Sequence, residues 1–397
     1  MYISRLAEDN LKKWFDSGKV LLLLGARQVG KTTLLKNAFK LERTTYLNLD
    51  IEVDRQRLLS SVPLDPKSSL SLLGSPEILI VDEAQRVPEI SRVVKGWYDF
   101  GVTTKIILSG SSSLNLLDQS AETLTGRNIK LFLPPLTFSE IISSQSWYQP
   151  ELRLDKGNFR DQTDSILFTS LIYGSYPEAV KTLDKREYLN NLISDYLLKD
   201  ILQVGLVKSP GTLRKLLLLL AYQVGSVVSI NEIAGSLGIS RQTVVKYLDL
   251  LEETFVIFQL PAYSTNPRKE ISKSNKIYFW DTGVRNALIG EMQENNNRGD
   301  IGKLWENWVI AEFAKRNLLL GKQSVLYYWR SRNNSEVDLV VKNSKGEIQA
   351  FEIKWSKSSS KSKAFTSLYH LPVEVINMEK LPLILGRFGI LSENNPT

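Results

Sequence analysis

The sequence predicts an α/β fold whose first part is a parallel sheet, and three observations support this prediction. Short apolar runs alternate with helical stretches over residues 19–136. The runs are continuously apolar, which is typical of strands that are buried on both faces of a sheet. A glycine-rich segment directly follows the first run, and two adjacent acids follow the third. We therefore predict a parallel sheet at whose edge the glycine-rich and acidic residues meet.

The composition restricts the chemistry that the protein can use. The chain has 397 residues, 50 Lys and Arg against 43 Asp and Glu, no cysteine and a single histidine, His370. The missing cysteines exclude disulfides, thiolate nucleophiles, Fe–S clusters and cysteine-ligated zinc, and one histidine excludes a histidine-rich metal site. Proton transfer and metal binding are therefore expected to depend on carboxylates, lysines and hydroxyls. We expect His370 to be a structural or surface residue.

The chain is expected to be a cytoplasmic protein with several domains. Its length corresponds to roughly two to four domains at about 100–200 residues each. The longest apolar runs are Val20–Leu24 and Leu216–Ala221, and both are much shorter than the ~20 residues that span a bilayer. The N-terminal segment is polar and amphipathic and does not have the pattern of a signal peptide. We therefore expect no membrane partner.

Five apolar runs are the predicted strands of the sheet. They are separated by segments long enough for helical crossovers, which parallel strands require. The runs are Lys19–Leu24, Thr45–Leu49, Ile78–Val81, Lys105–Leu108 and Ile129–Leu133. The polar stretch Ser143–Asp164 is expected to be a loop or insertion, and residues 165–225 are mostly helical in pattern.

The segment between the first predicted strand and the next helix matches a phosphate-binding loop. It fits the pattern G-x-x-x-x-G-K-[ST], in which glycines let backbone amides surround phosphates and the helix N-terminus adds a partial positive charge. Lys31 is expected to reach the β- and γ-phosphates of ATP, and Thr32 to ligate Mg²⁺. A glycine-rich turn without a ligand is the alternative. The predicted nucleotide-binding residues are Gly25, Ala26, Arg27, Gln28, Val29, Gly30, Lys31, Thr32 and Thr33.

Two adjacent acids follow the third predicted strand. The run Ile78–Val81 carries the chain to the sheet edge, where Asp82 is suited to hold the water shell of Mg²⁺. Glu83 is suited to orient or polarise the attacking water. This tandem is typical of hydrolytic ATPases of the additional-strand type, whereas Ras-like GTPases position water differently. The alternative is a strand that ends in solvated acids.

Two further residues of this part are candidates for catalysis. Ser109 ends the fourth predicted strand, which we expect to lie between the two motif strands, so that its hydroxyl can contact the γ-phosphate or the water. Arg127 lies in a loop and is a candidate for stabilising transition-state charge, supplied by a neighbouring subunit if the protein assembles. The alternatives are a plain Ser/Gly turn and a surface ion pair.

The motifs resemble those of prokaryotic P-loop ATPases of the AAA superclass. The resemblance rests on GARQVGKTTLL, LIVDEAQRVP, IILSGSSSLNLL, LTGR and PPLTFSEI, and it continues through YGSYPEAV, YFWDTG, GKLWENWV and SEVDLVV with FEIKWS. Those archaeal and bacterial ATPases are joined to a C-terminal domain of unknown function. The resemblance covers nearly the whole chain and implies ATP hydrolysis, but it implies no particular cellular role.

The segment Ser229–Leu248 has the pattern of a helix–turn–helix. Gly238 suits the turn, and Ser240 suits the N-cap of the second helix. The apolar stripe of that helix at i, i+4 and i+7 consists of Val244, Leu248 and Leu251. The residues left for the outer face, which have side chains suited to bases and phosphates, are Arg241, Gln242 and Lys246. We expect a winged-helix-like module that binds DNA, or one that packs against other domains without touching DNA.

The C-terminal part contains a predicted β-hairpin with charged residues on one face. Glu352 and Lys354 are two residues apart on the second strand, so both point to the same face. Asp338 lies on the first strand. Glu306 lies on an upstream helix near an apolar line, where a carboxylate needs a partner. This arrangement resembles the PD-(D/E)xK nuclease-like fold, a restriction-endonuclease-like α/β architecture, although Val337 stands in place of the motif's proline.

The nuclease resemblance implies a second magnesium site. In that pattern Asp338 and Glu352 would bind Mg²⁺ with help from Glu306, and Lys354 would position or activate water. The alternatives are an inactive nuclease-like fold used for binding, or plain strand charges. Residues 330–363 have a net charge of +4, against +7 for the whole chain. This local charge favours a phosphate-rich partner, or else a solvated basic tail.

Together these patterns predict an α/β protein of four parts. They are a P-loop NTPase core of the AAA type at 1–136, a helical lid at 137–210, a winged-helix-like module at 211–263 and a nuclease-like domain at 264–397. The predicted function is Mg²⁺-dependent ATP binding and hydrolysis coupled to binding or processing of DNA or RNA. Two alternatives stay open: an ATP-gated binding switch with an inert nuclease-like domain, and a metal-dependent nuclease licensed by the ATPase. A homo-oligomer or a protein partner is compatible with the sequence.

Overall fold

The chain forms two compact units. The structure is a computed structural model that describes residues 2–39, 41–110, 124–149, 158–197, 209–264, 274–294, 298–321, 324–331, 333–356 and 362–381. The first unit consists mainly of Met1–Pro134. The second contains most of the remaining chain, including most of the segments predicted as lid, winged-helix-like module and nuclease-like domain.

The first unit is an α/β layer built on a five-stranded sheet. Its elements, in chain order, are α1 (Ala7–Phe15), β1 (Val20–Leu24), α2 (Lys31–Ala38), β2 (Thr44–Asn48), α3 (Glu52–Ser61), α4 (Pro66–Leu72), β3 (Ile78–Asp82), α5 (Ile90–Phe100), β4 (Lys105–Gly110) and β5 (Asn128–Phe132). The strand order is β2-β3-β4-β1-β5, and every neighbouring pair is parallel. The predicted parallel sheet is therefore confirmed, with the five strands within one or two residues of the predicted runs.

Burial explains why these apolar runs become strands. Every residue of β1 and β3 is buried, whereas the edge strands β2 and β5 are partly exposed. Central strands with two covered faces need apolar side chains at every position, which is the pattern of VLLLL and ILIV. The strand β4 lies between β3 and β1, as predicted. Parallel pairing therefore brings the carboxyl ends of these three strands to one edge of the sheet.

The second unit begins with a group of helices. They are α6 (Phe138–Ser143), α7 (Asn158–Tyr173), α8 (Pro177–Lys181) and α9 (Lys185–Asn191), followed by a π-helical turn at Leu192–Leu197. The expectation that Ser143–Asp164 is a loop is wrong at its end, because α7 starts at Asn158. Its polar first turns are stabilised by an i,i+4 ion pair between Arg160 and Asp164, at 3.6 Å, and by the buried Thr163.

A second group consists of three helices and a two-stranded antiparallel sheet. Its elements are α10 (Pro210–Tyr222), α11 (Ile230–Leu237), α12 (Arg241–Glu253), β6 (Ile257–Leu260) and β7 (Lys276–Phe279). The hydroxyl of Ser229 caps α11, Gly238 ends it in the left-handed conformation at φ 64°, and Ser240 accepts a hydrogen bond from the Thr243 amide at the start of α12. The local signals of the helix–turn–helix pattern are thus present.

The last group is a four-stranded sheet with its helices. Its elements are α13 (Thr282–Ile289), α14 (Ile301–Leu319), β8 (Ser324–Arg330), β9 (Glu336–Asn343), β10 (Ile348–Ile353), α15 (Lys363–Tyr369) and β11 (Val373–Ile376). The strand order is β11-β10-β9-β8, with β8, β9 and β10 antiparallel and β11 parallel to β10. The predicted hairpin is formed by β9 and β10. His370 is exposed at the end of α15.

Some predicted features lie outside the described residues. They include the part of the motif IILSGSSSLNLL that follows Gly110, and residues 357–361 of the basic segment 330–363. Among the helices that the structure describes, none has both the length and the apolar composition needed to cross a membrane.

Candidate functional site

The loop between β1 and α2 is shaped by its glycines. Gly30 adopts a left-handed conformation at φ 94° and serves as the N-cap of α2. At Gly25, a Cβ atom would overlap the carbonyl oxygen of Leu133 and lie 3.3 Å from Cγ2 of Val29. Only glycine therefore fits at the start of this loop without displacing backbone. The remaining predicted loop residues, Ala26, Arg27, Gln28 and Thr33, lie in the same loop or in the first turn of α2.

The ammonium group of Lys31 is held inside the loop. Its Nζ atom donates hydrogen bonds to the carbonyl oxygens of Gly25 at 2.8 Å and Ala26 at 2.9 Å, and the residue is only 5% exposed. A buried lysine requires such partners because an unpaired charge is costly to remove from water. The loop therefore positions a positive charge at its centre, where an anionic ligand would gain most from it.

The N-terminal segment holds this loop through Arg5, a residue that the sequence did not point to. The buried guanidinium donates to the carbonyl oxygens of Val29 at 2.8 Å and Pro134 at 2.7 Å. These two carbonyls belong to the loop and to the segment that follows β5. No spacing or motif in the sequence predicts the contact between Arg5 and Pro134, because the two residues are 129 positions apart.

The carboxylate of Asp82 lies at the centre of the site. It accepts hydrogen bonds from the hydroxyls of Thr32 at 2.5 Å, Ser109 and Tyr46, and it is 2% exposed. Burial raises the pKa of Asp82, but these three hydrogen bonds together outweigh burial and lower its pKa below the ordinary value. The carboxylate is therefore ionised at neutral pH.

Glu83 lies next to this centre in an unusual backbone conformation. Its φ of 54° places it in the left-handed region, which is uncommon for a residue other than glycine. Its carboxylate accepts a hydrogen bond of 2.6 Å from the side-chain amide of Gln85. Strain of this kind is often retained at functional sites. Gln85 thus fixes the direction of the Glu83 carboxylate.

Tyr46 on β2 is a second site residue that sequence reasoning missed. Its hydroxyl donates to the same oxygen of Asp82 that accepts from Thr32, and Lys36 lies over its ring at 4.8 Å from the centroid. Burial and the neighbouring Asp82 raise the pKa of Tyr46, so it acts as a hydrogen-bond donor. The sequence showed Tyr46 only as one member of an apolar run.

Comparisons with known proteins agree with this geometry. Residues 17–142 match the family described as AAA domain, and residues 165–295 and 301–384 match two domains of unknown function, DUF8612 and DUF4143. The uncharacterized protein Rv2008c of Mycobacterium tuberculosis is 30% identical over 366 residues, which are 91% of this chain and 76% of that protein. The uncharacterized protein MJ1544 of Methanocaldococcus jannaschii is 25% identical and covers 91% of this chain and 81% of its own length.

The chain belongs to the family of Rv2008c and is a P-loop ATPase of the AAA type. The fold of the Walker-type ATPase PABY2304 of Pyrococcus abyssi is also similar, with a TM-score of 0.50 and 17% identity over 72% of this chain and 96% of that one. At this identity the structural match supports the fold alone. The loop around Lys31 lies within the segment that matches the AAA domain.

The structure does not bring Arg127 to the nucleotide loop of its own chain. Its carbonyl accepts from the amide of Val20, which starts β1, whereas the loop follows the other end of that strand. Five residues of strand correspond to about 16 Å. The Arg127 side chain forms an ion pair with Asp99, at 2.6 Å. The surface ion pair considered for this arginine is thus present, and a role in a neighbouring subunit stays a prediction.

The helix α12 presents the expected polar face. Arg241, Gln242 and Lys246 are exposed, whereas Val244 and Leu248 on the same helix are buried. The predicted nucleic-acid residues of this ATPase are therefore accessible on one helix.

The predicted nuclease-like residues come together at the face of the four-stranded sheet. Lys354 lies 3.1 Å from a carboxylate oxygen of Glu352 and 3.6 Å from one of Asp338. Asp338 also accepts a hydrogen bond of 2.7 Å from the amide of Ile353. Burial and the charge of Glu306 raise the pKa of Asp338 to about 7. These groups are close, but each of the two sheet carboxylates already has a partner.

Glu306 is engaged by β7 rather than by the sheet residues. It accepts hydrogen bonds from Lys276 at 3.0 Å and from the hydroxyl of Tyr278 at 2.6 Å. Lys276 forms a further ion pair with Glu336. Within the described ranges, no three carboxylate or imidazole groups are arranged so that they could hold a metal ion. The carboxylates predicted for this magnesium site are thus engaged by lysines, by the Tyr278 hydroxyl and by a backbone amide.

Replacing Gly25 by alanine is expected to weaken ATP binding by about tenfold or more, or about 1.4 kcal/mol. The added Cβ would overlap the Leu133 carbonyl and displace the loop that carries Lys31. Titration with a fluorescent ATP analogue measures the effect. The matched control is Gly96→Ala on α5, where a Cβ atom meets nothing within 4 Å. Wild-type affinity in Gly25→Ala would contradict the assigned loop geometry.

Proposed function

We propose that this ATPase hydrolyses ATP with Mg²⁺ at the site around Asp82 and uses the nucleotide state to control binding of nucleic acid. The observation that carries the catalytic part is the convergence of Thr32, Ser109 and Tyr46 on the Asp82 carboxylate. This arrangement aligns the two hallmark motifs of a P-loop ATPase at one sheet edge.

The residues around Asp82 fit a magnesium ion. The Thr32 hydroxyl and the Asp82 carboxylate are 2.5 Å apart, and oxygen donors of this kind are those that a small hard cation prefers. In our proposal Thr32 and Asp82 hold Mg²⁺, directly or through its waters, and the ion neutralises charge on the phosphates when bound.

The remaining groups of the site have distinct tasks in this proposal. The Lys31 ammonium exchanges a loop carbonyl for oxygens of the β- and γ-phosphates. The Glu83 carboxylate orients the attacking water and accepts its proton. Gln85 keeps Glu83 in a fixed direction before the water arrives. The fully buried Ser109 hydroxyl donates a hydrogen bond to Asp82 and so links the end of β4 to the site. Through this bond, β4 responds to the phosphate group that occupies the site.

Two substitutions separate binding from hydrolysis. Lys31→Ala is expected to abolish nucleotide binding, because the loop loses its central positive charge. Glu83→Gln is expected to bind ATP normally but to lower kcat by about 10²–10⁴, since an amide cannot accept the proton of the attacking water. Phosphate release and binding of a fluorescent ATP analogue measure the two effects.

The control for Glu83→Gln is Glu89→Gln, an exposed carboxylate six residues along the same segment. It should turn over ATP at the wild-type rate. Wild-type kcat in Glu83→Gln would remove Glu83 from the catalytic role, and wild-type binding in Lys31→Ala would remove the site assignment altogether.

The nucleic-acid part of the proposal is supported by the second group of elements. The order of α10, α11, α12, β6 and β7 is that of a winged helix. The second helix of its helix–turn–helix, α12, exposes Arg241, Gln242 and Lys246. Arginine, glutamine and lysine are the side chains that most often contact bases and phosphates. We therefore propose that α12 enters the major groove of duplex DNA.

The double variant Arg241→Ala with Lys246→Ala is expected to weaken binding of a DNA duplex and to lower the slope of log K against log salt by about 2. Fluorescence anisotropy over a salt series measures both quantities. Lys12→Ala with Lys13→Ala, on the exposed face of α1, is the charge-matched control. An unchanged salt slope in the α12 variant would exclude this helix as the DNA-binding element.

A second candidate, the binding switch with an inert nuclease-like domain, is favoured over a metal-dependent nuclease by one observation. The carboxylates of the C-terminal site already have partners. Glu306 and Glu352 are paired with Lys276 and Lys354, and Asp338 accepts a hydrogen bond from the backbone amide of Ile353 on β10. In this version the C-terminal domain binds or positions a partner without cleaving it.

A further inference from the structure

Lys276 is a buried lysine that enters a cluster of acids from another sheet. Its strand, β7, pairs with β6, whereas the acids belong to α14, β9 and β10. The side chain is 2% exposed, and its ammonium group lies 3.0 Å from Glu306 and in ion-pair contact with Glu336. Lysine is almost never this buried unless it neutralises acids.

The charges around Lys276 explain why it is stable there. Its ammonium group is in ion-pair contact with both Glu306 and Glu336, and a buried lysine requires such partners. The ammonium group is therefore charged, and it also lies over the ring of Tyr328, at 5.5 Å from the centroid. The cluster retains this lysine as a permanent cation.

The acids of the cluster are nearly balanced by basic groups of the chain itself. The four carboxylates are those of Glu306, Glu336, Asp338 and Glu352. Among the described residues, the cations in ion-pair range of them include Lys276, Lys354 and Arg330, the last at 3.9 Å from Glu336. An ammonium group inside this cluster repels a divalent cation that would approach the same carboxylates.

We infer that Lys276 is the resident counter-ion of this cluster and that its positive charge opposes the binding of a divalent metal ion there. The inference is independent of the ATPase proposal, because it concerns other residues and needs no nucleotide. In this inference β7 supplies two groups that satisfy the acids of the cluster, the Lys276 ammonium and the Tyr278 hydroxyl that donates to Glu306. The C-terminal domain then binds its partner without cleaving it by a metal-dependent reaction.

The test is a titration of the full chain with Mn²⁺ in the absence of nucleotide, followed by electron paramagnetic resonance. Wild-type protein is expected to have no Mn²⁺ site that depends on Asp338, so wild type and Asp338→Asn should give the same isotherm. Lys276→Gln, which keeps a hydrogen-bond donor but removes the charge, is expected to bind one Mn²⁺ ion more than the wild type. Adding Asp338→Asn to Lys276→Gln should abolish that gain.

The matched control is Lys276→Arg, which retains the positive charge and should behave as wild type. A wild-type Mn²⁺ site that disappears in Asp338→Asn would overturn the inference, and so would a folded Lys276→Gln variant that gains no Mn²⁺. If Lys276→Gln does not fold, the comparison of wild type with Asp338→Asn still decides the matter, because metal binding by the wild-type cluster alone contradicts a resident lysine.

Discussion

The buried carboxylate of Asp82 is the interaction on which the nucleotide site depends. A carboxylate at the centre of a dry sheet edge is costly unless donors surround it. The donors come from α2, β4 and β2, through Thr32, Ser109 and Tyr46. Each of them reaches Asp82 only because parallel pairing in the order β2-β3-β4-β1 brings the ends of these elements together. The hydrogen bonds around Asp82 therefore depend on this strand order.

The second unit follows the same rule, because buried charges among its described residues are paired within the chain. Lys315 on α14 lies 2.9 Å from Glu312, which accepts from the amide of Phe138, and Lys315 also donates to the hydroxyl of Ser175. Asp281 accepts from the amide of that same Ser175, at 2.7 Å. The motifs YGSYPEAV and YFWDTG, which contain Ser175 and Asp281, thus contribute to this buried network. In the motif GKLWENWV, the side chain of Asn307 accepts a hydrogen bond from the amide of Phe279 at 2.8 Å. Lys276 is a further instance of this rule.

Short-range patterns carried most of what could be predicted from the sequence. The five strands, the glycine-rich loop and the acids Asp82 and Glu83 follow from local periodicity and spacing, and the hairpin of β9 and β10 does as well. Arg5, Tyr46 and Lys276 could not be predicted, because each acts through partners at least 24 residues away that only folding brings near. The same limit applies to the C-terminal carboxylates. Their spacing indicates a shared face, but it does not reveal the lysine that enters from another sheet.

The most direct test of the central role of Asp82 is the rate of ATP hydrolysis by Asp82→Asn over a series of Mg²⁺ concentrations. Asparagine keeps the size of the side chain but loses the charge that Thr32, Ser109 and Tyr46 surround. We expect nucleotide binding through the Lys31 loop to persist and hydrolysis to be lost at every Mg²⁺ concentration. Hydrolysis at the wild-type rate in Asp82→Asn would contradict the conclusion that this carboxylate organises the site.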